Sequence, residues 1–256
     1  DTSIAGTGAG GTTVTLTKAA PYADSGTYTI TVTLEDEDSA TTDQLDVTVD
    51  NVAPTISLVE TTPVSPVIVT EGQNVSVRIT GTDPSQPDAN NLQFEVDWGD
   101  GTVDFANGAS TGNANEARAR FTHTYTDPSP SYTVTITLRD KDGGEDTQTL
   151  DIEVLNRAPT ITDVFNTGPV EENTEVTAVM LVDNPGSDTL TYNFNFACTK
   201  TDPATVADAD FTDPAGTGGS SAVASNTYPQ DGDYSVCVRV CDDDGPNFGC
   251  AYGLTE

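Results

Sequence analysis

Two sets of oxygen-bearing side chains have the type and the recurrence to bind a metal ion. Asn51, Asp83, Asp88, Asp140 and Asp142 form the first set, and Asn156, Asp183, Asp188, Asp242 and Asp244 take the equivalent places further along the chain. Carboxylate and amide oxygens are hard donors, so their gathering suits Ca2+, which takes about six to eight oxygen ligands. The Asp140-x-Asp142-Gly143 spacing is not that of an EF-hand loop. Asp and Asn are also ordinary turn formers, and a solvated acidic turn is the competing reading. Recurrence at equivalent places, with the cost of crowding like charges without a counter-ion, favours calcium.

Cys198, Cys237, Cys241 and Cys250 are the other candidates for chemistry. Zinc is disfavoured, because the Cys237-x3-Cys241 pair has no histidine near it. Disulfides, the better reading, place the chain in an oxidising and hence extracytoplasmic compartment. Catalysis finds little support. His123 is the single histidine and lacks an organised nucleophile, and there is no glycine-rich phosphate loop, His-Glu-x-x-His or Gly-x-Ser-x-Gly. The chain is expected not to be an enzyme.

The elements that must position these residues are set by a block that recurs three times. Each copy has a tyrosine, a second tyrosine six or seven residues later that opens alternating Thr and β-branched residues, and an Asp-rich turn. The copies run from Tyr22 to Asp38, Tyr125 to Asp142 and Tyr228 to Asp244. Second tyrosines at 28, 132 and 234 lie 104 and 102 residues apart, and Asn51 and Asn156, each opening Asn-x-Ala-Pro-Thr-Ile, lie 105 apart. Such a period fits one β-sandwich of about 100 residues in a tandem array.

Composition bounds the class further. With 41 acidic and 9 basic residues the net charge is −32, which argues against nucleic acid and anionic membranes, since both reward Lys and Arg. Hydrophobic content is low at 35%, yet Ile30-Val32-Leu34, Val134-Ile136-Leu138 and Val236-Val238-Val240 alternate as half-buried strands require. Small ordered cores are expected. Turns of Gly, Asp, Asn and Pro, with no 3.6-residue period, leave helices nearly absent. No apolar run approaches the roughly 18 residues of a membrane helix. The opening at Asp1, without Met or a signal peptide, reads as a mature or excised piece of a longer polypeptide.

The segment Val96-Asp97-Trp98-Gly99-Asp100-Gly101-Thr102, followed by His123-Thr124-Tyr125 and the Tyr132 strand, resembles the PKD (polycystic kidney disease) family of immunoglobulin-like domains. The third copy reads Phe194-Asn195-Phe196-Ala197-Cys198-Thr199 in place of the glycine turn. The first copy has only the back half. The resemblance implies an all-β fold of tandem immunoglobulin-like (PKD-type) β-sandwiches arranged as an extended rod. Residues 1–51 would be the C-terminal half of a PKD-like domain, 52–156 a complete one, and 157–256 a PKD-like domain with disulfides. It also implies the family's usual roles: non-catalytic extracellular spacers and adhesion or substrate-contact modules, some of them calcium-binding.

In seven successive antiparallel strands, A to G, the chain enters at one pole and leaves at the other. Short linkers stiffened by Pro54 and Pro159 cannot then fold back. The domain entry, the B–C loop and the F–G loop share one pole, so Asn51, Asp83, Asp88, Asp140 and Asp142 should converge in the second copy. In the third, Asn156, Asp183, Asp188, Asp242 and Asp244 should do so. Alignment of the copies puts Cys198 at the end of strand C, Cys237 near the start of F, Cys241 at its end and Cys250 at the start of G. Strands C and F are neighbours in this family's fold, which implies the pairs Cys198–Cys237 and Cys241–Cys250.

Trp98 is expected in the core with Phe94 and Val96, and Tyr22, Tyr125 and Tyr228 resemble a tyrosine corner bonding the E–F bend. Three strands around Thr13–Thr17, Tyr28–Leu34 and Leu45–Val49 cannot close a core. Ile30, Val32, Leu34, Val47 and Val49 would then face water beside open strand edges, until upstream residues of a longer precursor or strands of another copy complete the half-domain.

The reading that follows is a non-catalytic extracellular repeat segment of a stalk, surface layer or filament, stabilised by calcium and disulfides. An accessory substrate-binding or spacer module of a secreted hydrolase is the alternative, and should display a row of exposed aromatics, with Phe105, Phe211 and Phe248 as candidates. A cell-surface adhesin is the third. Expected partners are other copies of the chain or neighbouring repeats of a longer one, with polysaccharide or surface protein as further candidates.

Overall fold

Alternating Thr and β-branched residues give strands almost throughout the computed structural model, which describes residues 15, 17, 18, 20–184, 186, 188–211, 216–243 and 249–256. Strands β1 (Gly26–Glu35) and β2 (Ala40–Val49) pair antiparallel from Gly26↔Val49 to Glu35↔Ala40. Their turn is held by the Asp36 carboxylate, which accepts the N–H groups of Asp38 and Ser39, the local bond for which Asp is favoured in turns. Ile30, Val32, Leu34 and Leu45 are exposed, whereas Val47 and Val49, expected in water, are half-buried. The strand expected at Thr13–Thr17 lies largely outside the described residues.

The next unit holds β3 (Thr55–Thr62), β4 (Val67–Thr70), β5 (Asn74–Thr82), β6 (Gln93–Asp97), β7 (Val103–Asn107), β8 (Ala109–Ser110), β9 (Glu116–Thr124), β10 (Ser129–Arg139) and β11 (Glu145–Leu155). One sheet runs β3-β5-β9-β8 and the other β4-β11-β10-β6-β7. Pairing is antiparallel except for β4, which lies parallel to β11. Side chains at alternate positions meet between the sheets: Val75, Val77 and Ile79 from one, and Phe94, Val96, Val134, Ile136, Leu138 and Ile152 from the other, all fully buried. Each such side chain stabilises by roughly 1.5 to 3 kcal/mol relative to exposure. A single turn of helix, α1 (Gln86–Ala89), capped by Ser85, interrupts the strands between β5 and β6.

The last unit holds β12 (Thr160–Asn166), β13 (Glu175–Asp183), β14 (Leu190–Cys198), β15 (Gly216–Gly218), β16 (Ser221–Thr227), β17 (Ser235–Cys241) and β18 (Cys250–Thr255). Its sheets run β12-β13-β16 and β15-β14-β17-β18. Ala178, Met180, Leu190, Tyr192, Val236, Val238 and Val240 fill a smaller core. Two disulfides brace it, Cys198–Cys237 between β14 and β17 and Cys241–Cys250 between β17 and β18. Two 3-10 turns, at Pro203–Thr205 and Asp208–Asp210, follow β14.

Candidate cation-binding poles

Asn51 leads into β3, Asp83 follows β5, Asp88 sits on α1, and Asp140 and Asp142 lie in the turn after β10. Topology brings these separated residues to one pole. The Asn51 amide donates to Asp140 Oδ2 at 2.8 Å, while Asp140 Oδ1 accepts the N–H groups of Asp142 and Gly144, each at 2.8 Å. A Cβ at position 144 would lie 2.4 Å from Asp140 Oδ2 and 2.8 Å from Ala53 Cα. Glycine there lets the Asn-x-Ala-Pro linker lie directly on the turn. Asp83, Asp88 and Asp140 are buried, and Asp83 Oδ2 and Asp88 Oδ2 have no hydrogen-bond partner. Burial pushes the Asp83 carboxyl up; the Ser85 N–H pulls it back, and the charges of Asp88 and Asp140 add to the rise.

Sequence reasoning missed two members of this pole, Asp24 and Lys141. Lys141 Nζ lies 2.8 Å from Asp24 Oδ1, 2.6 Å from Asp142 Oδ2 and 3.0 Å from Asp88 Oδ1. Hydrogen bonds that the ammonium donates to Asp142 and Asp24 hold it in its charged form, raising its pKa. Each of the three carboxylates offers an oxygen within 4.8 Å of the others. The Ser25 hydroxyl donates to Asp142 Oδ2 at 2.8 Å and the Ser85 hydroxyl to the Ala23 carbonyl at 3.0 Å, so the loop before β1 rests on this pole. A signal existed: Asp24 follows Tyr22 by two residues as Asp127 follows Tyr125.

The last unit repeats the lock. The Asn156 amide donates to the Asp242 carboxylate at 3.3 and 3.2 Å, and Gly249 N–H donates to Asp242 Oδ1 at 3.0 Å. A Cβ at 249 would lie 2.4 Å from Asp242 Oδ2 and 2.6 Å from Ala158 Cβ. Both oxygens of Asp188 are buried without a hydrogen-bond partner. Asp183 departs from expectation: it is exposed at the end of β13. Its pairing with Thr160 matches that of Thr82 with Thr55, so Asn184 stands where Asp83 stands in the preceding unit. Side chains alternate along a strand, and a shift of one residue turns the carboxylate outward. Asp244 lies outside the described residues. The place of Lys141 is held by Asp243, which accepts the Thr189 N–H at 2.9 Å.

A fully buried glutamate, Glu71, was also unmarked in the sequence. Its Oε1 accepts the Arg157 N–H at 2.7 Å, and Oε2 has no partner. Burial pushes its carboxyl up, the Arg157 N–H opposes this, and the charges of Asp188, Asp242 and Asp127 add to the rise.

At the opposite end of the middle unit, aromatic side chains anchor a glycine turn. Trp98 is fully buried; its indole N–H donates to Asp104 at 2.8 Å and its ring stacks on His123 with centroids 4.7 Å apart. His123 Nε2 meets Asp100 Oδ2 at 2.7 Å, and Asp100 Oδ1 accepts the Thr102 N–H at 2.9 Å. Gly99 has φ of 80°, and a Cβ there would meet the Thr133 carbonyl oxygen at 2.7 Å. The tyrosine roles differ from expectation. Second tyrosines bond the E–F bend, Tyr28 to Asp24, Tyr132 to Asp127 and Tyr234 to Gln230. First tyrosines instead reach the end of the C strand, Tyr125 to Trp98 and Tyr228 to Phe196, because each lies stacked under its partner tyrosine.

Residues 51–154 match the family model of the PKD domain. This segment is similar to a PKD domain. The glycine turn, the tyrosine pair and the two-sheet sandwich all lie in the matched segment, which the chain carries within an all-β architecture. Among solved structures, the PKD domain of an M14-like peptidase from Thermoplasmatales archaeon SCGC AB-540-F20 is 23% identical over 41% of this chain and 98% of that one, with a TM-score of 0.32. The Yersinia pseudotuberculosis adhesin InvE is 15% identical over 79% of this chain and 58% of that one, with a TM-score of 0.37. No curated protein matches the sequence.

Outside the PKD-like domain's poles, the aromatic candidates stand apart. Phe105 is exposed on β7, whereas Phe211 packs against Tyr252 and under the Arg239 guanidinium, 5.1 Å from its ring centre. Phe248 lies outside the described residues. Among the described residues, no helix is long and apolar enough to cross a membrane.

Proposed function

We propose that the chain is a non-catalytic structural repeat segment of an extracellular or cell-surface assembly, a stalk, surface layer or filament, stabilised by disulfides and by Ca2+. The observation that carries this reading is the recurrent entry lock, Asn51–Asp140–Gly144 in the PKD-like domain and Asn156–Asp242–Gly249 in the unit after it. Both locks tie a short proline linker to the F–G turn, which supports successive sandwiches arranged as an extended rod. The disulfides fit an oxidising compartment. Buried carboxylate oxygens without a hydrogen-bond partner, Glu71 Oε2 and both oxygens of Asp188, supply the hard donors that Ca2+ favours.

The β1–β2 hairpin supplies the contact to neighbours. Ile30, Val32 and Leu34 are exposed, whereas their counterparts Val134, Ile136 and Leu138 are fully buried beneath the other sheet. Strands from a preceding repeat or from another copy complete this face. Negative-stain imaging of native material tests the reading: fibres or surface stalks are expected, and discrete particles with hydrolase activity overturn it.

A further inference from the structure

We propose that Glu71 of the PKD-like domain and the entry pole of the following sandwich together form a divalent-cation site that clamps this joint, an assignment that rests on the calcium reading above. At the preceding joint, Lys141 takes the cation's place.

The two joints share the entry lock and differ in the charge at one turn position. At the first, carboxylates from the loop before β1 (Asp24), from α1 (Asp88) and from the β10–β11 turn (Asp142) surround the Lys141 ammonium at 2.6 to 3.0 Å. Their negative charge is met by a cation that belongs to the chain. At the second, Asp188 comes from the corresponding loop and Asp242 from the corresponding turn, but the residue at the lysine's place is Asp243. Carboxylates of the corresponding loop and turn stand there with an aspartate at the lysine's place.

Glu71 adds a carboxylate from the preceding domain. Its N–H donates to the Leu155 carbonyl at 3.0 Å, extending the β4–β11 ladder, so its backbone belongs to the PKD-like domain. Its carboxylate reaches the linker at Arg157, one residue beyond the Asn156 that bonds Asp242. Glu71 Oε2 and both Asp188 oxygens are buried without a hydrogen-bond partner. Unpartnered buried carboxylates are costly, and a hard divalent cation is the partner that satisfies several at once. Bound to Glu71 and to the pole of the next sandwich, it holds two domains rather than one.

Calorimetric titration of the full chain with CaCl2, after chelator treatment, is the test. E71Q and D188N are each expected to weaken binding about tenfold or more. Small-angle scattering is expected to show Ca2+ narrowing the interdomain distance distribution in the parent and not in E71Q. D243K, which installs the lysine of the first joint at the second, is expected to remove Ca2+ binding there, and K141Q to add a binding event at the first joint. Parent-like binding by E71Q alongside loss in D188N overturns the clamp and leaves the pole reading standing. Absence of Ca2+ binding by the parent overturns both. Retained binding in D243K, or no added event in folded K141Q, overturns the role given to the lysine.

Discussion

The Tyr125 hydroxyl donates to the Trp98 carbonyl oxygen at 2.9 Å, and the equivalent bond ties Tyr228 to Phe196 at 2.8 Å. The chain thus closes each sandwich by joining the residue before strand F to the end of strand C. Y125F leaves a buried carbonyl without its donor, which costs about 1 to 3 kcal/mol. Y132F removes a bond to the Asp127 carbonyl in an exposed setting, where water substitutes for the lost hydroxyl. The urea midpoint is expected to fall more for Y125F than for Y132F; equal losses contradict the clamp role.

The linker's seat on the F–G turn makes a second expectation specific. G144A drives a methyl into Asp140 and Ala53, and overpacking of this kind costs about 1 to 3 kcal/mol. G143A, at a position where a Cβ meets nothing within 4 Å, pays only the strain of φ at 92°. Thermal unfolding should rank G144A below G143A.

Calcium removal gives a third. A ligand bound by the folded state alone stabilises it by about 2.7 kcal/mol at a hundredfold excess over its dissociation constant. Added Ca2+ is expected to raise the melting temperature and chelator to lower it, and an unchanged temperature in both directions removes calcium from the account.

Asp100 sets a pH dependence. Burial pushes its carboxyl up, but bonds from the Thr102 hydroxyl and N–H and from His123 outweigh this, leaving the folded pKa below 3.8. A lowered carboxyl contributes stability that is present above the ordinary value and lost as pH falls through the folded one. The stability difference between the parent and D100N should therefore persist at mildly acidic pH and shrink below 3.8. A difference that is unchanged down to full carboxylate protonation contradicts this origin.

Repetition made much of this protein legible in the chain itself. Period-2 alternation marks β1, β10 and β17 because a strand presents successive side chains to opposite faces, and the Trp98-Gly99-Asp100-Gly101 turn depends on bonds between near neighbours. The cysteine pairs followed once the copies were aligned, since register brings Cys241 opposite Cys250. Glu71 was not legible, and Asp24 only as a repeat position matching Asp127, because their partners, the Arg157 N–H and Lys141, lie across joints between units. Lys141 was missed because Asp88 and Asp24 reach it only through the fold. Asp183 failed for a related reason: aligned residues need not share a strand phase, and one position decides whether a carboxylate enters the pole or faces water. The two tyrosines of each block exchanged roles on the same ground. Spacing alone makes both of them candidates for the corner, and only their stacking in three dimensions decides which hydroxyl reaches the E–F bend and which the end of strand C.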